Sequence, residues 1–578
     1  MINDDVPART WHRVAAVFFA CLLIFLLFRA CDEYRWSDWG PGDAQTMLSL
    51  HQWQRDGWLA HKLLFIPQGY ASCVRALDEP PLRHHAHGIA PGTSPRVGPR
   101  LWYTHYPCGY LIPYALLYTA GLERIFFLRA LSVLLSLGAL ILMYVLFVKI
   151  ACPAVAVLAA FFYGMSGAFL GYADSLATQP VDDILRFSFM LAVVLSTRAG
   201  APQHRKVYGA CAWLIFFIMS LSSLDSILFS YVWLIGWDLL ELRRFRWRWY
   251  CSFAAAVLVA GGIKLLQNAW YLGIADALTD LADAFARRGG WSAGITNLPV
   301  LFFYAATGAL NALYRPVVLL VLLAVLYLLH LAFFTHRDST VSELPSWRLL
   351  ALLSACAAAF LAVVPFGAAM RYQIRQLAPA AALLAAAATW AFWRQAQAWL
   401  RGAYRPLPGT GPSVRHAAAA GHLFLFGFAL VLFWHSFFCM ARDPVFDRAK
   451  LRKHPDVLLA KALRSFLADS DHVIFSFKGF HAFLAPEYVP GYPQIHPIIE
   501  YYAGSRPILC FTNPEDLTSD LLCMANRSRG GFAPVLVTDD LESMKQIIAS
   551  LKAKGAIHQE PSEAALISGR YVLGMEKQ

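Results

Sequence analysis

The sequence predicts a polytopic α-helical membrane protein of about 11 transmembrane helices plus juxtamembrane helices, with a C-terminal extracytoplasmic α/β domain. Three observations predict it. The 578 residues are 58% hydrophobic and only 15% charged, against about 25% charged in an ordinary soluble domain. Apolar runs such as 14–28 and 316–334 approach the ~20 residues that cross a bilayer. Beyond residue 455 the apolar runs shorten and alternate in period.

The first run follows Arg9 and Arg13, and no small-residue cleavage site comes after it; the chain continues Arg29-Ala30-Cys31-Asp32. A retained first helix is the expectation, with the N-terminus cytoplasmic. It delivers a large outer loop, 31–106, rich in Trp, His, Pro and Gly. The stretch 108–122 is short and holds a proline. Further spans are expected near 125–147, 153–171, 184–197, 208–224, 227–240, 250–270, 315–334, 349–366, 376–393 and 420–440. If 108–122 stays in the interface, Lys149, Arg205, Lys206, Arg243, Arg244, Arg246, Arg348, Arg394 and Arg401 all fall on the cytoplasmic side. If it crosses, all of them flip, so charge favours the interfacial placement. Segment 271–314 reads as interfacial helices. The expected boundary lies at 440: residues 1–440 form the membrane domain and 441–578 the soluble tail. In the tail, 455–469 has helical periodicity, 472–477, 507–511 and 534–539 read as strands, and 541–555 as a helix.

The net charge of +12 is explained by basic loops between spans rather than by nucleic-acid binding, and no nucleic-acid partner is expected. Six of the cysteines lie in apolar runs and read as small packed hydrophobes. Cys73 and Cys108, and Cys510 and Cys523, share outer segments; disulfides and free thiols are both open for them. The His84, His85 and His87 tract lacks the helical spacing of a preorganised metal site.

Chemistry-bearing residues gather in the outer loops. Asp43 follows Pro-Gly at the expected start of a helix along the membrane, where Met47, Leu48, Leu50, Trp53 and Trp58 would be its apolar contacts. It reads either as a cap or as an acid at a site. Asp182 and Asp183 head a span after Pro180, with the same two readings. Carboxylates from two outer loops are expected to converge at the bilayer surface. His105 sits among tyrosines at 103–114. Arg371 and Arg375, one turn apart and joined by Tyr372, read as interfacial anchors or as a phosphate clamp.

The order of these elements resembles the GT-C membrane glycosyltransferases, in the branch of protein O-mannosyltransferases and the lipid A aminoarabinose transferase. The likeness rests on one N-terminal span before a large outer loop with Asp43 and Gly57-Trp58. It continues in His105-Tyr106-Pro107-Cys108-Gly109-Tyr110, in Gly121 to Arg129, in Asp182 or Asp183, and in Arg371-Tyr372 before Ala378-Pro379-Ala380. The tail segment 496–508 resembles the Tyr-Tyr-x-x-Arg region of such proteins. Two departures are Ala44, where the family often has Glu, and Cys108 in place of a second proline.

The resemblance implies a GT-C-like fold and transfer of a sugar (hexosyl or pentosyl) from a polyprenyl-phosphate carrier. The acceptor would be a cell-envelope glycan, lipid or protein at the outer face of a bacterial inner membrane. It implies Asp43 as the catalytic base, with Asp182 or Asp183 positioning the acceptor. Arg371 and Arg375, with His105, Lys62 and Tyr372, would stabilise the leaving phosphate. Membrane lipids are the other expected partners. No cofactor is assigned, and a divalent metal is left open. A transporter or flippase of lipid-linked sugar, a glycan ligase or polymerase, and a catalytically inactive scaffold are the alternatives.

Overall fold

The structure is a computed structural model that describes residues 8–37, 40–68, 89–94, 98–288, 347–363, 375–403, 448–467, 472–480, 497–527, 533–554 and 564–574. They fall into two compact units, each assembled from three stretches of chain. The first comprises 1–31, 129–260 and 286–444, and the second 32–128, 261–285 and 445–578.

Among the described residues, the first unit is helical. Helices Ala8–Ala30, Ile125–Ile150, Pro202–Ser222 and Trp247–Leu272 are long and apolar enough to cross a membrane. At 1.5 Å per residue, the 23 residues of the first give about 34 Å against a hydrocarbon core of about 30 Å. The expected spans at 315–334 and 420–440 lie outside the described residues.

Two spans differ from expectation. The 153–171 run is interrupted: helix Pro153–Gly164 stops, and the Ser166 hydroxyl accepts the Phe169 N–H to start a separate turn, Gly167–Leu170. The helix expected from 184 begins at Gln179, because Pro180 fits the first turn, where its missing N–H costs nothing. Close approach holds these helices together. A Cβ on Gly164 would come to 3.0 Å from both Phe18 and Leu140, so a side chain there would require both neighbours to give way by a few tenths of an ångström.

A bidentate pair closes one end of this unit. Arg29 donates from Nε and Nη2 to the two Asp174 carboxylate oxygens at 2.9 and 2.6 Å, with both side chains buried.

The second unit mixes helix and sheet. The stretch 108–122 forms a 3-10 turn, Gly109–Leu111, and a helix of 8 residues, Ile112–Thr119. That is about 12 Å, too short to cross a bilayer. The outer loop holds helix Gly40–Asp56, which buries Met47, Leu48, Leu50 and Trp53. It also holds a three-stranded antiparallel sheet, β1 (Phe65–Gln68), β2 (Ile89–Ser94) and β3 (Gly98–Tyr103), with β3 central. From the sequence this region is expected to be an outer loop, with no strands. Its strands carry Pro and Gly, the residues that normally argue against a strand.

The tail follows the expected alternation: helix Pro455–Phe466, β4 (His472–Phe477), β5 (Ile508–Phe511), β6 (Ala533–Thr538) and helix Leu541–Ala553. Strand β4 lies between β5 and β6 and is parallel to both. An antiparallel hairpin, β7 (Ala565–Ile567) and β8 (Arg570–Gly574), extends the sheet from β6. Its turn, Ser568-Gly569, has φ of +48° and +77°, the type I′ geometry that matches strand twist. Phe475, Leu509, Leu536, Ile547 and Leu551 fill the core beneath it. Cys108 and Cys510 are free thiols, so the Cys510–Cys523 pairing does not form; Cys73 lies outside the described residues. Burial pushes the Cys510 thiol up to about 12, which suits a packed neutral group.

Candidate functional site

Asp43 lies in the first turn of helix Gly40–Asp56 and is fully buried. Its carboxylate accepts the Ser37 backbone N–H at 3.2 Å, tying the incoming chain to the helix. That chain is itself held by the tail. Trp36 Nε1 donates to the Tyr502 hydroxyl at 3.2 Å, and that hydroxyl donates to the Glu33 carbonyl at 3.2 Å. Lys461 adds an ion pair with Glu33 and a bond of 2.6 Å to the Tyr34 hydroxyl. The tyrosine pair of the 496–508 segment therefore buttresses the segment that leads to Asp43.

Lys62 sits on unusual backbone. Lys62 and Leu63 both adopt φ of +56°, the left-handed region that non-glycine residues rarely enter. The Gln267 side-chain amide holds the conformation by donating to both carbonyls, at 3.0 and 2.8 Å. The ammonium stands 4.5 Å from the Trp102 ring centroid and 5.8 Å from that of Tyr271. Burial lowers the Lys62 pKa from the ordinary lysine range. Trp102 is oriented in turn by donating Nε1–H to His61 Nδ1 at 3.3 Å, and His61 Nε2 meets Asp56 at 2.9 Å.

His105 Nε2 lies 2.5 Å from the Asp280 carboxylate, on helix Ile274–Arg288, and both side chains are buried. Asn268 secures the same strand end by donating to the Thr104 carbonyl at 3.1 Å. Burial pushes the Cys108 thiol up, against the pull of nearby Lys264, which removes it as a nucleophile at neutral pH.

In the first unit, Asp182 and Asp183 occupy the opening turns of helix Gln179–Arg198 and meet two guanidinium groups. Arg186 pairs with Asp182 one turn back and approaches Asp183 at 3.3 Å. Arg375, in a 3-10 turn ahead of helix Ala378–Ala403, pairs with Asp183 and reaches Asp182 at 3.3 Å. The Ser226 hydroxyl donates to Asp182 at 2.5 Å, and the Tyr163 hydroxyl to Asp183 at 3.3 Å. Two carboxylates and two guanidiniums thus form a neutral, buried cluster. Arg375 Nε is buried with no acceptor among the described residues, which leaves a donor for an incoming oxygen.

The predicted residues therefore fall into two sets: Asp182, Asp183 and Arg375 together in one unit, and Asp43, Lys62 and His105 in the other. Arg371 and Tyr372 lie outside the described residues. Among the described residues, no three His, Cys, Asp or Glu side chains are placed to hold a metal ion.

No protein-family model and no curated protein matches the sequence. Among solved structures, ArnT from Cupriavidus metallidurans bound to undecaprenyl phosphate superposes with a TM-score of 0.53 at 11% identity, over 97% of each chain. The chain has the GT-C fold. ArnT in the apo state superposes at 0.48, again at 11% identity and over 97% of each chain. The oligosaccharyltransferase AglB from Archaeoglobus fulgidus, in complex with an inhibitory peptide and a dolichol-phosphate, reaches 0.45 at 11% identity, over 95% of this chain and 71% of that one. Only the first likeness is close enough to carry the fold.

Several residues of these sites are ones that the sequence alone does not single out. Arg186 had a legible signal, since it stands i+4 and i+3 from Asp182 and Asp183 on one helix. Gln267, Asp280, Ser226 and Asp174 had none, because their partners are remote in sequence.

Proposed function

We propose that the chain is a glycosyltransferase that moves a sugar from a polyprenyl-phosphate carrier to a cell-envelope glycan, lipid or protein acceptor at the outer face of the membrane. The observation that carries the reading is Lys62: a half-buried ammonium on strained backbone, framed by Trp102 and Tyr271, inside a GT-C fold. Strained backbone persists where the surroundings over-determine it, and it clusters at ligand clamps. The related ArnT structure holds undecaprenyl phosphate, which supports a lipid phosphate as the ligand here.

The chemistry needs a proton acceptor and a leaving-group clamp. An acceptor hydroxyl is a weak nucleophile, and a carboxylate in reach takes its proton for a gain of about 10²–10⁴-fold. Asp43 is assigned that role, buried and fixed by the Ser37 N–H. As the glycosidic bond breaks, the bonding electrons pass to the phosphate. Lys62, with His105, offsets that charge. Asp182 and Asp183 orient the acceptor. Arg375 offers its unpartnered Nε–H to a phosphate oxygen, with Arg371 and Tyr372 in the same role.

The test is transfer by the purified chain in detergent, using undecaprenyl-phosphate-linked sugars, since chemistry in micelles needs no sealed membrane whereas transport does. Asp43→Asn is expected to abolish transfer while expression and membrane insertion stay normal. Near wild-type turnover in that variant would remove Asp43 from the mechanism.

A further inference from the structure

At the end of the first unit where helix Gln179–Arg198 gives way to Pro202–Ser222, a cavity of about 430 Å³ opens between helices. Its walls carry Arg205, Lys206, Arg244 and Arg246, with Trp213 and Trp249 as flat apolar faces. None of these residues takes part in the chemistry above. The basic-loop pattern of the sequence assigns this end to the cytoplasmic side.

The charges are not balanced. Arg246 is spent on Asp238, to which it donates at 2.7 and 2.6 Å. Nearby Glu241 is taken by Arg198 at 3.0 Å. Among the described residues, Arg205, Lys206 and Arg244 pair with no carboxylate; Arg205 donates only to the Ala199 carbonyl, at 2.6 Å. Independently of charge, Trp249 Nε1 is buried with no acceptor. A buried indole N–H without a partner is costly to keep from water, and a ligand oxygen would satisfy it. The ring is held there by Gly209, where a Cβ would come within 2.9 Å of it. Basic residues at helix ends also fix topology, but that role requires neither a cavity nor an unsatisfied donor inside it.

The flanking helices say which anion fits. Pro202–Ser222 and Trp247–Leu272 both qualify as membrane spans. Beyond the cavity, Val207, Leu214 and Ile218 on the first, and Leu258 and Val259 on the second, are exposed apolar side chains. A ligand with an anionic head and hydrocarbon tails matches both features. We propose that this cavity binds the phosphate headgroup of an anionic phospholipid, with Lys206, Arg244 and Arg205 meeting the phosphate and Trp249 Nε1–H donating to one of its oxygens.

The test titrates the delipidated, purified full chain in neutral detergent with dioleoyl phosphatidylglycerol and, separately, with dioleoyl phosphatidylcholine, read by native mass spectrometry and tryptophan fluorescence. Phosphatidylglycerol is expected to bind at least tenfold tighter. The Lys206→Gln/Arg244→Gln variant should lose roughly thirtyfold, the usual strength of two cation–headgroup attractions. Trp249→Phe, which keeps the ring but removes the donor, should lose several-fold. Exposed Lys206→Gln alone serves if the double variant does not fold, with a loss of about fivefold expected. Equal affinity for the two lipids, or unchanged phosphatidylglycerol affinity in the Lys206 variants, would overturn the proposal. Displacement of the lipid by millimolar inorganic phosphate would make this a free-phosphate site and overturn it equally.

Discussion

The four-charge cluster of the first unit makes the sharpest energetic prediction. In the wild type, Asp182 and Asp183 offset Arg186 and Arg375, and all four side chains are 11% exposed or less. Asp183→Asn leaves one positive charge in excess, and Arg375→Gln one negative. Each single change strands a buried charge, which costs about 3–5 kcal/mol. The double variant retains the Arg186–Asp182 pair with Ser226 bound to it, and its net charge returns to zero. Its destabilisation should therefore fall short of the summed single effects by about 2–3 kcal/mol. The assay is reversible unfolding of the purified chain in mixed micelles, with the four members of the cycle measured side by side. Additivity within about 0.5 kcal/mol would refute the reasoning, because it would mean the four groups do not share one charge balance. Transfer should not recover in the double variant if Arg375 also serves the donor phosphate, so stability and activity separate.

Two further outcomes follow from protonation. Burial lowers the Lys62 pKa, so its cation is present at low pH and lost as pH rises through that lowered value. Undecaprenyl phosphate affinity should therefore decline on the alkaline side, before the ~10.4 of an ordinary lysine. Lys62→Arg, which stays charged, should flatten that limb, and coincident profiles for the two proteins would exclude Lys62 from the contact. In the tail, Asp540 caps helix Leu541–Ala553, and hydrogen bonds from the Ser543 hydroxyl and N–H and the Glu542 N–H hold its pKa down. A depressed carboxylate stabilises above its unfolded pKa of ~3.9 and ceases to as pH falls through the folded value. Hydrogen-exchange protection in 541–553, taken relative to intrinsic rates, should thus fall more steeply with acid in the wild type than in Asp540→Ala; parallel curves would refute the cap's contribution.

How much of this was legible depended on the range of each interaction. The individual strands and helices of the tail were legible because their signals are local: β4, β5 and β6 are short apolar runs, and the flanking helices keep a 3.6-residue period. The sheet at 65–103 was missed because Pro67, Pro91, Gly92 and Pro99 break the strand pattern, and its pairing is set by partners across the loop. Starting the helix at 184 rather than 179 had a cost at the candidate site. It left Asp182 and Asp183 at the head of the span rather than within the helix, and their i+4 and i+3 relation to Arg186 went unused. The Arg29–Asp174 bridge spans 145 residues, and no local pattern announces a contact of that separation.

The two sets of candidate residues differ in how their cations are kept. A guanidinium does not shed its proton on burial, so Arg375 is buried only because Asp182 and Asp183 neutralise it. An incoming phosphate must compete with those carboxylates, and among the described residues the Nε–H has no acceptor. Lys62 is held instead by ring faces and by the Gln267 grip on its backbone, and among the described residues it pairs with no carboxylate. Aromatic faces attract a cation without cancelling it, so the full charge remains for a ligand. A carrier phosphate gathers negative charge as its sugar departs, and it gains most from a cation that has no competing anion. In the proposed reaction Lys62, which the sequence ranked behind the arginines, is on that ground the better-suited contact for the donor phosphate, and the Asp182–Asp183–Arg186–Arg375 cluster is better suited to fixing shape than to yielding charge.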